Sequence, residues 1–196
     1  MANIADDITE LVGNTPLLRL HKFEKEAGFE GKILAKLEVF NPTGSVKDRI
    51  AKNMIEQAER DGRLKPGGTI IEATSGNTGI GLAAIAAAKG YQAVIVMPDS
   101  MSKERIRILE AYGAKVVLTP GEKNMGGANE KAAEILEQTE NAIITGQGGN
   151  PSNPEAHYQT TGPEIWKDTG ENVDIFVASV GTGGTLTGTG AGLREH

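Results

Sequence analysis

No cysteine occurs in the 196 residues, and that absence excludes disulfides, thiolate-bound metals and a cysteine nucleophile. Histidine is nearly as scarce: His21, His157 and His196 stand too far apart to read as a metal cluster, so no metal is expected. Aromatic residues make up only 4% of the chain. No stretch approaches the roughly 18 uninterrupted apolar residues that a spanning helix needs. The first ten residues carry acids where a secretory leader would be basic and apolar. A cytoplasmic location with no membrane partner is therefore the expectation. Basic residues are in deficit, 20 against 26 acidic, for a net charge of -6. A chain of this sign has no footprint for nucleic acid, although a local basic pocket stays open. With 38% hydrophobic and 23% charged residues, the profile is that of one or two soluble globular units and not of a disordered tail.

Glycine is in excess. The 26 glycines among 196 residues are close to double the average usage of roughly 7%. They gather in short clusters between periodic segments, the way sharp turns and anion-binding backbone loops are written. There is no internal repeat and no low-complexity tract.

Between the clusters the chain alternates. An apolar run at 33–37 precedes Val46, Ile50, Met54 and Ala58, spaced every four residues along one helical face. Runs at 69–71, 93–97, 115–118, near 143 and at 173–180 precede helical patterns at 79–89, 103–111, 128–138, 155–167 and 186–194 respectively. Apolar strands without clean alternation, each followed by a helix, predict an α/β fold, doubly wound around a mostly parallel sheet covered on both faces. Residues 146–154, with three Gly, two Pro and two Asn, are the best candidate for a domain boundary.

In such sheets ligands bind at the carboxyl ends of the strands, and three loops there carry unusual residues. Asn41-Pro42-Thr43-Gly44-Ser45-Val46-Lys47 delivers a lysine to the first turn of a helix, where the dipole disfavours the ammonium form. A neutral amine suits a Schiff base; the plain alternative is a solvated lysine beside Asp48. Thr74-Ser75-Gly76-Asn77-Thr78-Gly79 follows a strand and opens a helix, offering hydroxyls and free N–H groups to a carboxylate or phosphate. Asn77 or Thr78 alone would suffice as an ordinary cap, and the run exceeds that need. Gly181-Thr182-Gly183-Gly184-Thr185 reads as a phosphate cradle, but it fits neither the Walker pattern nor the dinucleotide spacing, because Leu186 stands where a third glycine should be. A glycine-rich turn alone is weak evidence. Together the loops imply a cofactor with a carbonyl and a phosphate and a substrate with a carboxylate, which pyridoxal 5'-phosphate acting on an amino acid satisfies.

The ordered set of motifs also resembles a known family. Ile8-Thr9-Glu10-Leu11-Val12-Gly13-Asn14-Thr15-Pro16-Leu17, the Lys47 and Thr74 loops, Thr160-Thr161-Gly162-Pro163-Glu164-Ile165-Trp166 and the Gly181 loop are similar to those of the cysteine synthase (O-acetylserine sulfhydrylase) branch of the fold-type II, tryptophan synthase β-like, pyridoxal-phosphate enzymes. The resemblance implies that Lys47 forms the internal aldimine and later moves the α-proton. Asn77 would contact the cofactor's 3'-oxygen, and Gly181, Thr182, Gly183, Gly184 and Thr185 would hold its phosphate. Thr74, Ser75, Gly76 and Thr78 would take the substrate carboxylate, with Gln147 closing onto it. The implied reaction is β-replacement: O-acetyl-L-serine loses acetate through an α-aminoacrylate, and sulfide adds to give L-cysteine.

The resemblance further implies two domains, a smaller one at about 37–145 and a larger one to which 1–36 and 146–196 contribute only part. Members continue past His196 and supply there the hydroxyl that faces the pyridine nitrogen. A partial sheet predicts an unpaired edge and association with another chain. A homodimer is expected, as is a serine acetyltransferase tail as a partner. Two departures touch the cleft: Gly148 replaces an aromatic residue, and Met125-Gly126-Gly127 has glycine where lysine is usual. The alternatives are cystathionine β-synthase-type β-replacement, a non-catalytic form that only docks the transferase tail, and a plain α/β domain whose glycine loops are turns. The Ser45-Val46-Lys47 spelling sets the chain apart from threonine synthases and dehydratases, which usually read Ser-Phe-Lys.

Overall fold

The computed structural model describes residues 4–195; His196 and the first three residues lie outside the described residues. In chain order the elements are β1 (Leu17–Arg19), α1 (His21–Ala27), β2 (Leu34–Lys36), α2 (Lys47–Arg60), β3 (Thr69–Ala73), α3 (Asn77–Lys89), β4 (Gln92–Pro98), α4 (Lys103–Ala111), β5 (Lys115–Thr119), α5 (Asn124–Glu137), β6 (Ala142–Ile144), α6 (Ser152–Ala156), α7 (Gly162–Asp168) and α8 (Gly184–Arg194).

Four of these strands form a parallel sheet in the order β5-β4-β3-β6. Ile71 stands opposite Val94 on one side and Ile144 on the other. Every residue of β4 after Gln92 is buried, as a central parallel strand covered on both faces requires. The side chains divide by period two. Ile70, Ile95 and Met97 pack with Ile50, Met54, Leu82, Ile85 and Leu109 of α2, α3 and α4. Their neighbours Ile71, Val94 and Val96 pack on the opposite face with Ala128 and Ala132 of α5. The expected α/β class with helices on both faces is therefore what the chain adopts. Each fully buried Ile or Leu contributes about 1.5–3 kcal/mol, so these two clusters are the main stabilising mass.

Helix α3 is apolar nearly all round because it lies between α2 and the sheet: Leu82, Ala83, Ala84, Ile85 and Ala86 are all buried. A Cβ at Gly81 would come within 3.2 Å of Ala51 Cβ and 3.3 Å of the Lys47 carbonyl, so this glycine sets how closely α2 and α3 approach. Helix α8 uses the same device. Gly184, Gly188 and Gly192 recur every four residues and face Asn153, Pro154 and Tyr158, and a Cβ at Gly188 would land on the Pro154 carbonyl oxygen.

Three expectations need correction. The run at 33–37 yields β2, but it pairs antiparallel with β1 in a separate two-stranded sheet; β1 itself has no counterpart in the periodic reading. The run at 173–180 forms no strand. No strand among the described residues lies alongside to bond it, and Ile175, Val177 and Val180 are 78%, 84% and 66% exposed. The helix expected at 155–167 is instead α6, a π-turn at His157–Thr161 and α7 in direct succession. In the π-turn the Gly162 N–H donates to the His157 carbonyl, five residues back.

Candidate active site

Strands β3 and β6 run parallel and adjacent, so the loops that leave them emerge side by side at the carboxyl edge. Glu72, buried in β3, binds the two exits together. Its carboxylate accepts from Thr145 Oγ1 at 2.5 Å, the Gly146 N–H at 2.7 Å and the Gln147 N–H at 3.3 Å. With its backbone held there, Gln147 reaches the first turn of α3, where its Oε1 accepts from Thr78 Oγ1 at 2.5 Å. The Thr74 hydroxyl accepts from the Gly76 N–H at 3.2 Å. Arg105 of α4 fixes the same loop through the Ser75 carbonyl at 2.7 Å. Asn77 is exposed.

Lys47 is the first residue of α2 and lies half-buried beside α3. Its amine makes no hydrogen bond or ion pair among the described residues, and burial lowers its pKa. The structure does not pair it with Asp48: that carboxylate is buried and turns to the Thr43 N–H and hydroxyl, and burial raises its pKa. The lysine is thus neither fully solvated nor neutralised by an acid, a setting in which the uncharged amine is accessible at lower pH than usual.

The 181–185 loop opens α8. Gly183 has φ +85°, a conformation that favours glycine. The first helical bond of α8 runs from the Thr187 N–H to the Gly183 carbonyl, which leaves the N–H groups of Thr185 and Leu186 without a partner among the described residues. Two residues of the preceding helical stretch hold this loop. Asn153 Nδ2 donates to Thr182 Oγ1 at 2.9 Å and to the Gln147 carbonyl at 2.8 Å. His157, fully buried, lies 3.1 Å from Thr185 Oγ1 through Nε2 and 2.9 Å from Thr161 Oγ1 through Nδ1. Burial, with the positive charge of Arg49 second, pushes its pKa down to about 4.

Two residues on from the lysine, Arg49 forms a buried ionic knot. Its guanidinium grips Glu38 at 2.7 and 2.8 Å and Glu164 at 2.7 Å on each nitrogen, and also meets Thr160 Oγ1 at 3.0 Å. Burial works against ionisation of Glu164, but hydrogen bonds from Arg49 and Lys36 overcome it and bring the pKa to about 2. The knot anchors the start of α2, and Lys47 with it, to α7.

Of the expected site residues, Gln147 and Thr78 meet directly, Thr182 joins them through Asn153, and Lys47 is seated against α3. Sequence reasoning missed Glu72, Arg105, Asn153 and Arg49, and saw in His157 only one of three scattered histidines. Two of these carried a signal: Glu72 is an acid between the apolar Ile70, Ile71 and Ala73 of β3, and Asn153 sits in the Asn-Pro-Ser-Asn-Pro stretch at 150–154. A cleft of 560 Å³ borders the exit of β6, lined by Thr145 and Gly146 with Gln57, Asp61 and Pro151, and one of 160 Å³ borders the Arg49 side chain, with Val12, Lys52, Glu56 and Thr160 around it.

The residues present fit pyridoxal phosphate. A half-buried amine without a counter-ion suits an aldehyde. Unpartnered N–H groups at the start of α8, beside two threonine hydroxyls and an αL glycine, form a set rich in donors that suits a phosphate dianion.

Comparison with known proteins supports the same assignment. The family model for pyridoxal-phosphate dependent enzymes matches residues 8–196. A probable cysteine synthase of Bacillus subtilis is 54% identical over all of this chain and 63% of its own length. The cysteine synthase of Staphylococcus aureus is 52% identical over 97% of this chain and 61% of its own. The crystal structure of cysteine synthase from Entamoeba histolytica superposes with a TM-score of 0.94 at 46% identity, covering 98% of this chain and 58% of that one. The chain therefore spans about three-fifths of the length of the curated relatives it matches, and it belongs to the pyridoxal-phosphate dependent enzyme family.

Proposed function

We propose that this chain carries the lysine-bearing part of a cysteine synthase, which makes L-cysteine from O-acetyl-L-serine and sulfide. The observation that carries the reading is the half-buried, unpaired Lys47 at the start of α2, set beside a hydroxyl-rich helix start that Gln147 already touches. The 52–54% identity to cysteine synthases supports the choice within the family.

When bound, pyridoxal phosphate supplies an aldehyde for an amine and a ring that accepts an electron pair. The chain's own residues do the rest. Lys47 Nζ, favoured in its neutral form by burial, would hold the aldehyde, and once displaced from it by the substrate's own amine would be free to remove the proton from the substrate α-carbon and return it to the same carbon. Thr74, Ser75, Gly76 and Thr78 bind the substrate carboxylate through hydroxyls and N–H groups, with Gln147 as the movable partner. Asn77 orients the ring oxygen, and residues 181–185 hold the phosphate. At the substrate β-carbon the bond to acetate oxygen breaks, acetate leaves with the electron pair, and a bond to hydrosulfide sulfur forms.

The domain division follows the same reading: residues 37–145 form the smaller domain, and 1–36 with 146–196 contribute to the larger. A homodimer in the cytoplasm, able to dock a serine acetyltransferase tail, completes the proposal.

The test is borohydride reduction of the purified protein with pyridoxal phosphate, followed by peptide mapping. Label on the peptide containing Lys47, absent from Lys47→Ala, is the expected result, together with a visible absorption band that O-acetylserine shifts. Label spread over surface lysines, with no such band in a chain extended past His196, would overturn the reading.

A further inference from the structure

We propose that Asn153 is a positioning residue that locks the phosphate loop to the Gln147 loop and, in doing so, commits the Thr182 hydroxyl to donate. The inference rests on the function proposed above and adds a residue to it.

Asn153 is only 2% exposed. One amide hydrogen goes to the Gln147 carbonyl at 2.8 Å and the other to Thr182 Oγ1 at 2.9 Å. A carbonyl can only accept, so the amide nitrogen must face this way, and the orientation of the side chain is settled by chemistry. Its oxygen occupies the place that a Cβ of Gly184 would take, which wedges the amide and requires glycine at 184. Thr182 Oγ1 also receives the Gly184 N–H at 3.4 Å. Both of its lone pairs are then engaged, and its remaining capacity is the O–H, which has no acceptor among the described residues.

A hydroxyl prepared in this way suits a group that only accepts, such as a phosphate oxygen, and is wasted on one that donates. The same amide holds the peptide of Gln147, whose side chain is on Thr78. Filling of the phosphate loop and placement of Gln147 are therefore two ends of one hydrogen-bonded chain.

The test compares binding of pyridoxal phosphate with binding of pyridoxal, which lacks the phosphate, in the parent protein, Asn153→Ala, Thr182→Val and the double variant. The parent should prefer pyridoxal phosphate. Each single variant should lose about tenfold or more of that preference, as expected for one charge-assisted hydrogen bond, with pyridoxal binding unchanged and the double variant no worse than either. At saturating cofactor, Asn153→Ala should also raise KM for O-acetylserine, and by more than Thr182→Val does, because only the former frees the Gln147 carbonyl. Thr182 is exposed, so its variant reads the hydroxyl arm without disturbing α6. Equal loss of pyridoxal and pyridoxal phosphate, additive losses, or an unchanged preference would overturn the role of Asn153 while leaving the cofactor reading intact. A parent protein with no preference for the phosphate would instead reject the 181–185 loop as the phosphate site, and the proposal with it.

Discussion

His157 is buried and flanked by two threonine hydroxyls, so its protonation is set by the fold. Its folded pKa of about 4 lies below its ordinary 6.5; between those values the unfolded chain binds a proton that the folded chain refuses. Stability should therefore rise from pH 4 to 6.5 and level off above, by about 3 kcal/mol for this one group. Urea unfolding across that range checks it, and His157→Gln should flatten the slope. Glu164 works in the same sense, in a lower window. Its pKa falls from 4.5 to about 2, so its contribution is whole above pH 4.5 and is lost as the pH drops towards 2. Arg49→Ala should cost about 3–5 kcal/mol in denaturant unfolding, since it strands two carboxylates in a largely buried site. Arg49→Lys should restore little, because one ammonium cannot reproduce paired contacts to both Glu38 and Glu164. Lys47 and the 74–79 and 181–185 loops could be singled out from residue type and from their place at the start of a helix, which the structure retains at α2, α3 and α8. Glu72 and Asn153 were not, because their meaning lies in partners 73 and 29 residues away along the chain.

Helix α8 offers a matched pair at the scale of the element. Gly188 faces Pro154, and a methyl there would strike its carbonyl; Gly190 has nothing within 4 Å of the same position. Gly188→Ala should destabilise by about 1–3 kcal/mol or more through overpacking, whereas Gly190→Ala should stabilise by about 0.5–1 kcal/mol through helix propensity. Thermal unfolding of the two variants separates these signs. The elements of the parallel sheet were readable because each strand is apolar on both faces and is followed by a helix-sized crossover. The three-residue β1 is too short to carry a periodic signal and has no buried residue, so it was invisible. The run at 173–180 has the composition of a strand, but a strand exists only with a neighbour, and composition does not report whether one is present. The π-turn was hidden for a related reason: one residue of slack barely perturbs a helical pattern.

For the molecule as a whole, Ile175, Val177 and Val180 leave an apolar segment exposed and without cover among the described residues. Sedimentation of the purified chain should show concentration-dependent association, and Val177→Lys should reduce it without lowering the unfolding midpoint. Long-range cohesion rests on Glu164, which binds the Asn14 N–H, Lys36 and Arg49 and so ties the start of the chain to α7. That tie depends on phase. A helix turns by about 100° per residue, and the π-turn at His157–Thr161 supplies the one residue of delay that presents Glu164 to Arg49 and Gly162 to α8. Deleting a single residue there would make a more regular helix and a misaligned protein, with Glu164 swung a quarter-turn off its three partners; along this stretch, chain length is a tighter constraint than residue identity.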